Sequence, residues 1–225
     1  LLDALLAHAP SLGEVAFALD AAVGTPLVVA GGPIDRVFFP TTGVLSVVVR
    51  TSDGGTAEAL TVGCEGFIGL AAWFGLGESL EEVLQQASGS VTVLPARDFR
   101  AAVAGSPRCE NLLRHYAAYA LRTGEQNSVC NGRHSVRQRA SRWILSTADR
   151  RGEPAVRMTH ALLAEMIGVR RQSVTDALDG LERDGAVVSR RGRIEIPSRA
   201  ALEAQACECY RTTRELYRRI VAPLL

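Results

Sequence analysis

Four polar side chains, Arg171, Gln172, Ser173 and Thr175, fall within five positions of an otherwise apolar-striped segment, "MTHALLAEMIGVRRQSVTDAL" (158–178). Guanidinium, amide and hydroxyl groups are the donors and acceptors that read base edges in the major groove of duplex DNA. Arg170 beside them suits a backbone phosphate or plain solvation. Further on, Arg190, Arg191 and Arg193 cluster with only Glu195 as an acidic neighbour. That pattern suits phosphate contacts, which fix position without reading sequence. Asp176 has three roles open: an acceptor for a cytosine amino group, a partner holding the Gln172 amide, or a solvated carboxylate.

These side chains need elements to aim them. Thr159 is placed to cap a helix beginning at His160. Leu162, Leu163, Met166 and Ile167 form one apolar face; Val174, Ala177, Leu178 and Leu181 form the matching face of a second helix. Gly168 sits where a tight turn needs positive φ, and Ala164 is small enough for a close crossing. The Ala-x3-Gly spacing followed by Val169 predicts a helix-turn-helix. "LERDGAVVSRRGRIEI" (181–196) then reads as a helix end, a strand, an arginine-rich turn and a second strand, which is a wing. A helix pair with a glycine turn is common by itself. The small residue, the wing and the local charge together favour DNA.

The formal net charge of +1 conceals an asymmetry. Residues 1–132 carry 7 Arg against 13 Asp or Glu, whereas residues 133–199 carry 14 Arg against 8. An acidic first half and a basic second half predict two domains, the second holding any polyanion. At 47% apolar and 22% charged residues the chain reads as globular. With no apolar run of membrane-spanning length and no signal peptide, no membrane partner and a cytoplasmic location are expected. Cys64, Cys109, Cys130, Cys207 and Cys209 show no compact four-ligand spacing, so reduced thiols and no metal site are expected. Cys207 and Cys209, two apart, would diverge if they shared a helix. No nucleophile, base or paired carboxylates stand in a motif, so the chain does not read as an enzyme.

Residues 1–8 predict a short helix ending before Pro10. Between about 14 and 105, "TPLVVAGG", "RVFFPTTG", "VLSVVVRTSDGG", "TAEALTVG" and "SGSVTVLPA" read as short strands of a sandwich or barrel. In "SDGG" (52–55), Gly54 and Gly55 suit a hairpin. "GFIGLAAWFGLGESLEEVL" (66–84) interrupts the strands with a helical turn. Ser106 and Pro107 then open a long helix. Its stripe of Leu113, Tyr116, Ala120, Thr123 and Asn127 fits two uses, a monomer core or a two-fold dimer contact. "NGRHS" (131–135) breaks it, and the next helix turns Ala140, Trp143, Ile144 and Ala148 toward a core.

In this order, "VFFPTTGVLSVVV", "VGCEGFIGL", "NGRHSVRQRASRWIL" and "MTHALLAEMIGVRRQSVTDALDGLERDGAV" resemble the bacterial family of the cyclic-AMP receptor protein and the fumarate–nitrate reductase regulator. The resemblance implies an α+β fold with a cyclic-nucleotide-binding-like β-roll (jelly roll) over 1–106 and a dimerisation helix over 107–132. A winged helix-turn-helix domain with a C-terminal helix follows over 133–225. It implies a homodimeric transcription regulator that binds double-stranded DNA, with RNA polymerase and a small-molecule effector as further partners. The expected DNA-binding set is Thr159, Arg170, Arg171, Gln172, Ser173, Thr175, Arg190, Arg191 and Arg193. The family's base-reading positions fall on Arg171, Gln172 and Asp176. Gln172 replaces the usual glutamate and Asp176 an arginine of the best-known member, so a different half-site is expected.

The sensor half departs from the family. Its nucleotide cassette corresponds here to "GFIGLAAWFGLGESLEEVLQQASGS", which has no arginine, while Glu78, Glu81 and Glu82 would repel a phosphate. That argues against cAMP. No cysteine precedes Cys64, which argues against an iron–sulfur cluster. His8, His115, His134 and His160 each have a simpler role than haem ligation. Phe67, Trp73 and Phe74 fit either an apolar effector pocket or sandwich core. The rival function is a ligand- or protein-binding β-roll whose winged domain contacts protein; exposed arginines on the wing tip beside Arg171 would count against it.

Overall fold

The computed structural model describes residues 1–52 and 54–225, which fall into two units. The first comprises Leu1–Val47, Leu60–Arg122 and Leu216–Leu225, the second Val48–Ala59 and Thr123–Glu215.

In the first unit, valine-rich and threonine-rich segments bounded by Gly and Pro form two sheets. Strands β1 (Phe17–Ala21), β7 (Gly89–Pro95) and β3 (Arg36–Pro40) pair antiparallel in that order, with Phe17 and Phe38 both opposite Val93. The other sheet runs β2 (Pro26–Val28), β6 (Glu82–Ala87), β4 (Val44–Arg50), β5 (Thr56–Val62). Phe38, Leu45, Val62, Val83, Val91 and Val93, drawn from both sheets, meet in one apolar cluster, the interior of the β-roll. Neither β1 nor β6 is expected as a strand from the sequence pattern. The reason for β6 is polar: Gln85 and Gln86 are buried and hydrogen-bonded where apolar residues would have signalled a strand, although Gln85 Oε1 keeps no partner among the described residues. The Gln85 amide donates to Ala87 O at 2.7 Å, and Ser46 donates to Gln86 Oε1 at 2.7 Å.

A second cluster sits under helices α1 (Leu2–His8), α2 (Leu12–Val15), α3 (Leu70–Trp73), α4 (Ala96–Ala104) and the first half of α5 (Pro107–Arg133). Phe39, Phe67, Phe99 and Tyr116 stack or tilt against one another there. The Tyr116 hydroxyl accepts from Phe67 N at 3.1 Å and donates to Phe67 O at 2.9 Å. Phe67 and Trp73 therefore belong to the core, and Phe74 is exposed. The expected turn at 52–55 joins the neighbouring strands β4 and β5. Thr51 N donates to Gly55 O at 2.9 Å and Gly54 holds φ +84°, while Asp53 lies outside the described residues.

Helix α5 removes the ambiguity of its stripe. Leu113, Tyr116, Ala120, Thr123 and Asn127 are all buried within the chain itself. The opposite face carries Ala118, Leu121 and Val129, the last two 65% and 54% exposed.

In the second unit, Ser135 caps α6 (Val136–Arg151) through a reciprocal box with Gln138, the cap expected from "NGRHS". Ala140, Trp143, Ile144 and Ala148 are buried as read from the sequence. α6 is the platform on which α7 (His160–Ile167), α8 (Arg171–Arg183) and α9 (Arg199–Gln205) pack. A three-stranded wing sheet, β8 (Ala155–Val156), β10 (Arg193–Glu195) and β9 (Val188–Arg190), closes one side, and α10 (Cys209–Ile220) follows α9. The tip of the β4–β5 hairpin belongs to this unit. Trp143 Nε1 donates to Glu58 Oε1 at 3.1 Å and Asn127 Nδ2 donates to Ala59 O at 2.8 Å.

Candidate nucleic-acid interface

The geometry that aims the polar residues starts at Gly168. It adopts φ +63° and ψ +50°, with Val169 N donating to Ala164 O at 3.0 Å and Gly168 N to Glu165 O at 3.2 Å. These two bonds form a Schellman turn, which needs a left-handed residue. A Cβ added there would lie 3.2 Å from the Ala57 methyl. Gly168→Val is therefore expected to cost at least about 1–2 kcal/mol, read as a lower urea midpoint with an unchanged slope. Arg139, a buried guanidinium on α6, donates to Ile167 O, so a cation sits on the C-terminal carbonyls of α7.

Thr159 caps α7 through its hydroxyl, which accepts from Leu162 N at 3.1 Å. Arg170 is the N-cap residue of α8 and makes no side-chain cap bond. Ser173 N donates to Arg170 O at 3.0 Å, and among the described residues no side chain caps the N–H groups of Arg171 and Gln172; a phosphate suits a helix N-terminus of this kind. Val174, Ala177, Leu178 and Leu181 are buried beneath α8. Arg171 and Gln172 are exposed on its first turn. The Gln172 amide donates to Asp176 Oδ1 at 2.8 Å, so of the three roles open for Asp176 the structure displays the holding one.

Ser173 and Thr175 are half-buried rather than fully outward. Thr175 Oγ1 donates to Arg171 O at 3.3 Å and lies 3.1 Å from His160 Nδ1. The other ring nitrogen of His160 is 2.9 Å from Ser189 Oγ on β9. A single imidazole thus joins the start of α7, α8 and the wing. Sequence reasoning sees His160 only as a first-turn residue; its signal is a polar ring directly after a capping threonine. His160→Ala should remove both links and lower stability by about 1–3 kcal/mol, measured by urea unfolding. Helix α8 loses its tie to the wing with them.

On the wing, Arg190 ends β9, Arg191 and Gly192 form the turn, and Arg193 opens β10 with an ion pair to Glu195 at 3.3 Å. All three arginines are exposed. Among the described residues no ion pair engages Arg170, Arg171, Arg190 or Arg191. These cations cost little to turn toward a polyanion.

The thiols behave differently from the sequence expectation. Cys207 lies in the connector between α9 and α10, and Cys209 begins α10, so the two do not share a helix and their sulfurs converge. Cys130 Sγ is 3.5 Å from Cys207 Sγ, and Cys209 Sγ is 3.6 Å from His134 Nδ1. The Cys207 hydrogen bond brings the Cys130 thiol down from its ordinary value, burial opposing and Arg142 assisting, while the same bond and burial push Cys207 up. Local spacing hides this group because the fold assembles it from two distant pairs.

Comparison with known proteins agrees with the geometry. Residues 138–205 match the family model of the Crp-like helix-turn-helix domain. The fold is similar to that of FixK2 from Bradyrhizobium japonicum, with 18% identity over 86% of this chain and 98% of that one at a TM-score of 0.73. TTHB099, a CRP-family transcriptional regulator of Thermus thermophilus, gives 20% identity, 84% and 96% coverage and a TM-score of 0.68. CLP, a c-di-GMP responsive global regulator of Xanthomonas campestris, gives 13%, 88% and 98%, and 0.66. No curated protein sequence matches the chain. The chain has the fold of CRP/FNR-family transcription regulators, with a Crp-like helix-turn-helix domain. Among the described residues no helix is long and apolar enough to cross a membrane.

Proposed function

We propose that this chain, a Crp-like helix-turn-helix domain carried on a CRP/FNR-type fold, is a homodimeric, sequence-specific transcription regulator. The observation that carries the reading is the exposed pair Arg171 and Gln172 on the first turn of α8. Buried apolar residues beneath and His160 beside them hold that turn against an arginine-tipped wing. Arg171 reads guanine, Gln172 reads adenine with its amide oriented by Asp176, and Arg170, Arg190, Arg191 and Arg193 hold phosphates. Thr159 and Ser173 complete the contact surface, while His160 holds the Thr175 hydroxyl behind it. The exposed wing arginines support DNA over protein as the partner. Two copies meet through the exposed face of α5 and present their reading helices to half-sites about one duplex turn apart. RNA polymerase is the further macromolecular partner of such a regulator, and it acts without catalysis of its own.

Effector control belongs to the β-roll. It contains a cavity of about 260 Å³ lined by Leu27, Ile34, Phe38 and Ile68 together with Asp35, Arg36 and Glu81. Arg36 is paired with Asp35 at 3.7 Å, and burial raises the Glu81 carboxyl above its ordinary range. Two acids and one paired arginine suit an apolar or weakly basic molecule better than a cyclic phosphate. Titration calorimetry with cAMP or c-di-GMP is expected to give no saturable heat. Saturable binding of either would reassign the cavity.

The direct test of the DNA reading is a fluorescence titration of the full chain against selected and random duplexes at several salt concentrations. Arg191→Ala should weaken binding to every duplex alike and reduce the salt slope by about 0.9 per chain. A wild-type protein without preference among duplexes would end the regulator reading.

A further inference from the structure

Cys130, Cys207 and Cys209 form a buried cluster of their own, and His134 completes it: the four ligand-type atoms lie within 4.8 Å of one another. A tetrahedral zinc ion, with bonds of about 2.3 Å to sulfur and 2.0 Å to nitrogen, places its ligand atoms about 3.5–3.8 Å apart. The Cys130–Cys207 separation of 3.5 Å and the Cys209–His134 separation of 3.6 Å meet that requirement. We infer that Cys130, His134, Cys207 and Cys209 form a closed Cys3His site for a single zinc-type divalent ion.

Neighbouring groups are arranged as a metal site demands. His134 directs Nδ1 at the cluster while its Nε2 lies 3.1 Å from Glu208 Oε1, so a carboxylate fixes the ring and its tautomer. The Gln126 amide donates to Cys209 Sγ at 3.0 Å, a bond that a thiolate accepts better than a thiol. Three thiolates around a divalent ion leave one net negative charge, and Arg139 and Arg142 both lie in the field of Cys130 to offset it. On binding, each sulfur donates an electron pair to the metal and its proton passes to solvent. The backbone supplies the right projections: Cys130 and His134 are four apart at the end of α5, and Cys207 and Cys209 flank the turn that starts α10. The ion would fasten that turn to the end of the long helix.

Two other uses fit less well. An iron–sulfur cluster spreads its ligands over several irons, wider than this group. A Cys130–Cys207 disulfide requires the sulfurs to close to about 2.05 Å and leaves Cys209 and His134 without a role.

The test uses the full chain purified without chelator. Elemental analysis after gel filtration is expected to find about one zinc per chain. Replacement by Co2+ should give the strong visible bands of a four-coordinate ion and a thiolate-to-cobalt charge-transfer band of three-sulfur intensity. Cys207→Ser should cut that band by about one part in three and weaken Co2+ binding at least tenfold. Glu208→Gln should leave the band and weaken binding by about 10–100-fold. Cys64→Ser, an exposed thiol outside the group, should change neither. Trace metal with a pale six-coordinate Co2+ spectrum would overturn the site. So would a protein mass 2 Da low from a Cys130–Cys207 disulfide, or loss of the band in Cys64→Ser rather than Cys207→Ser.

Discussion

Arg171→Ala is expected to leave a protein that still binds duplex DNA but no longer distinguishes its site. A bidentate arginine–guanine pair contributes about 1–3 kcal/mol of discrimination. A two-fold complex contains two such pairs, so the ratio of specific to random affinity should fall by about 30-fold to 10⁴-fold. The fold should survive, because Arg171 is exposed and, among the described residues, has no ion pair to lose. Random-duplex binding should fall only by the share of one surface cation per chain, since Arg170 and the wing arginines remain. Gln172→Ala makes a useful comparison. Its amide is already held by Asp176 at 2.8 Å, so its removal costs preorganised contacts and should relax the site at one base position only. Competition anisotropy between a selected site and random duplex measures both. If Arg171→Ala kept the preference and Arg191→Ala lost it, the roles of helix and wing would have to be exchanged.

The reading helix and wing are legible in the sequence because their apolar spacing and turn chemistry agree. Val174, Ala177, Leu178 and Leu181 recur on one helical face, Gly168 supplies the left-handed turn, and arginines sit at the tip of a glycine turn. Local rules suffice wherever each residue's role depends on neighbours within a few positions. They fail where the partner is distant. β6 escapes them because its buried glutamines bond to Ser46 and to backbone of its own turn, which no hydrophobic period records. Thr175 reads as an outward donor, yet His160, fifteen positions earlier, claims its hydroxyl. The thiol cluster joins residues 77 apart in sequence. The stripe on α5 is visible, but its spacing does not say which core it serves; burial within the chain answers that and exposes the opposite face instead.

That opposite face carries the second large prediction. Leu121→Glu should convert the protein from dimer to monomer at micromolar concentration, measured by sedimentation, with the melting curve nearly unchanged. Leu121 is 65% exposed and lies opposite the buried stripe, so the substitution removes little from the chain's own core. In the proposed two-fold dimer the new carboxylate would face its own copy, close to Glu125 on the next turn, and like charges would repel where apolar side chains would have packed. Ala118 and the small neighbours Ala117, Gly124 and Ser128 allow two such helices to approach closely. A 27-residue helix is about 40 Å long, enough for a continuous seam. DNA binding should fall with the dimer, because a lone reading helix engages one half-site. The affinity is expected to move from the specific range toward the nonspecific one, a loss of at least about 10³-fold. Leu113→Ala supplies the contrast. It truncates a fully buried side chain on the other face, so it should lower stability by about 2–5 kcal/mol and leave the folded protein dimeric. If Leu121→Glu stayed dimeric while Leu113→Ala dissociated, the two faces of α5 would have the opposite roles, and the seam between copies would have to be sought elsewhere.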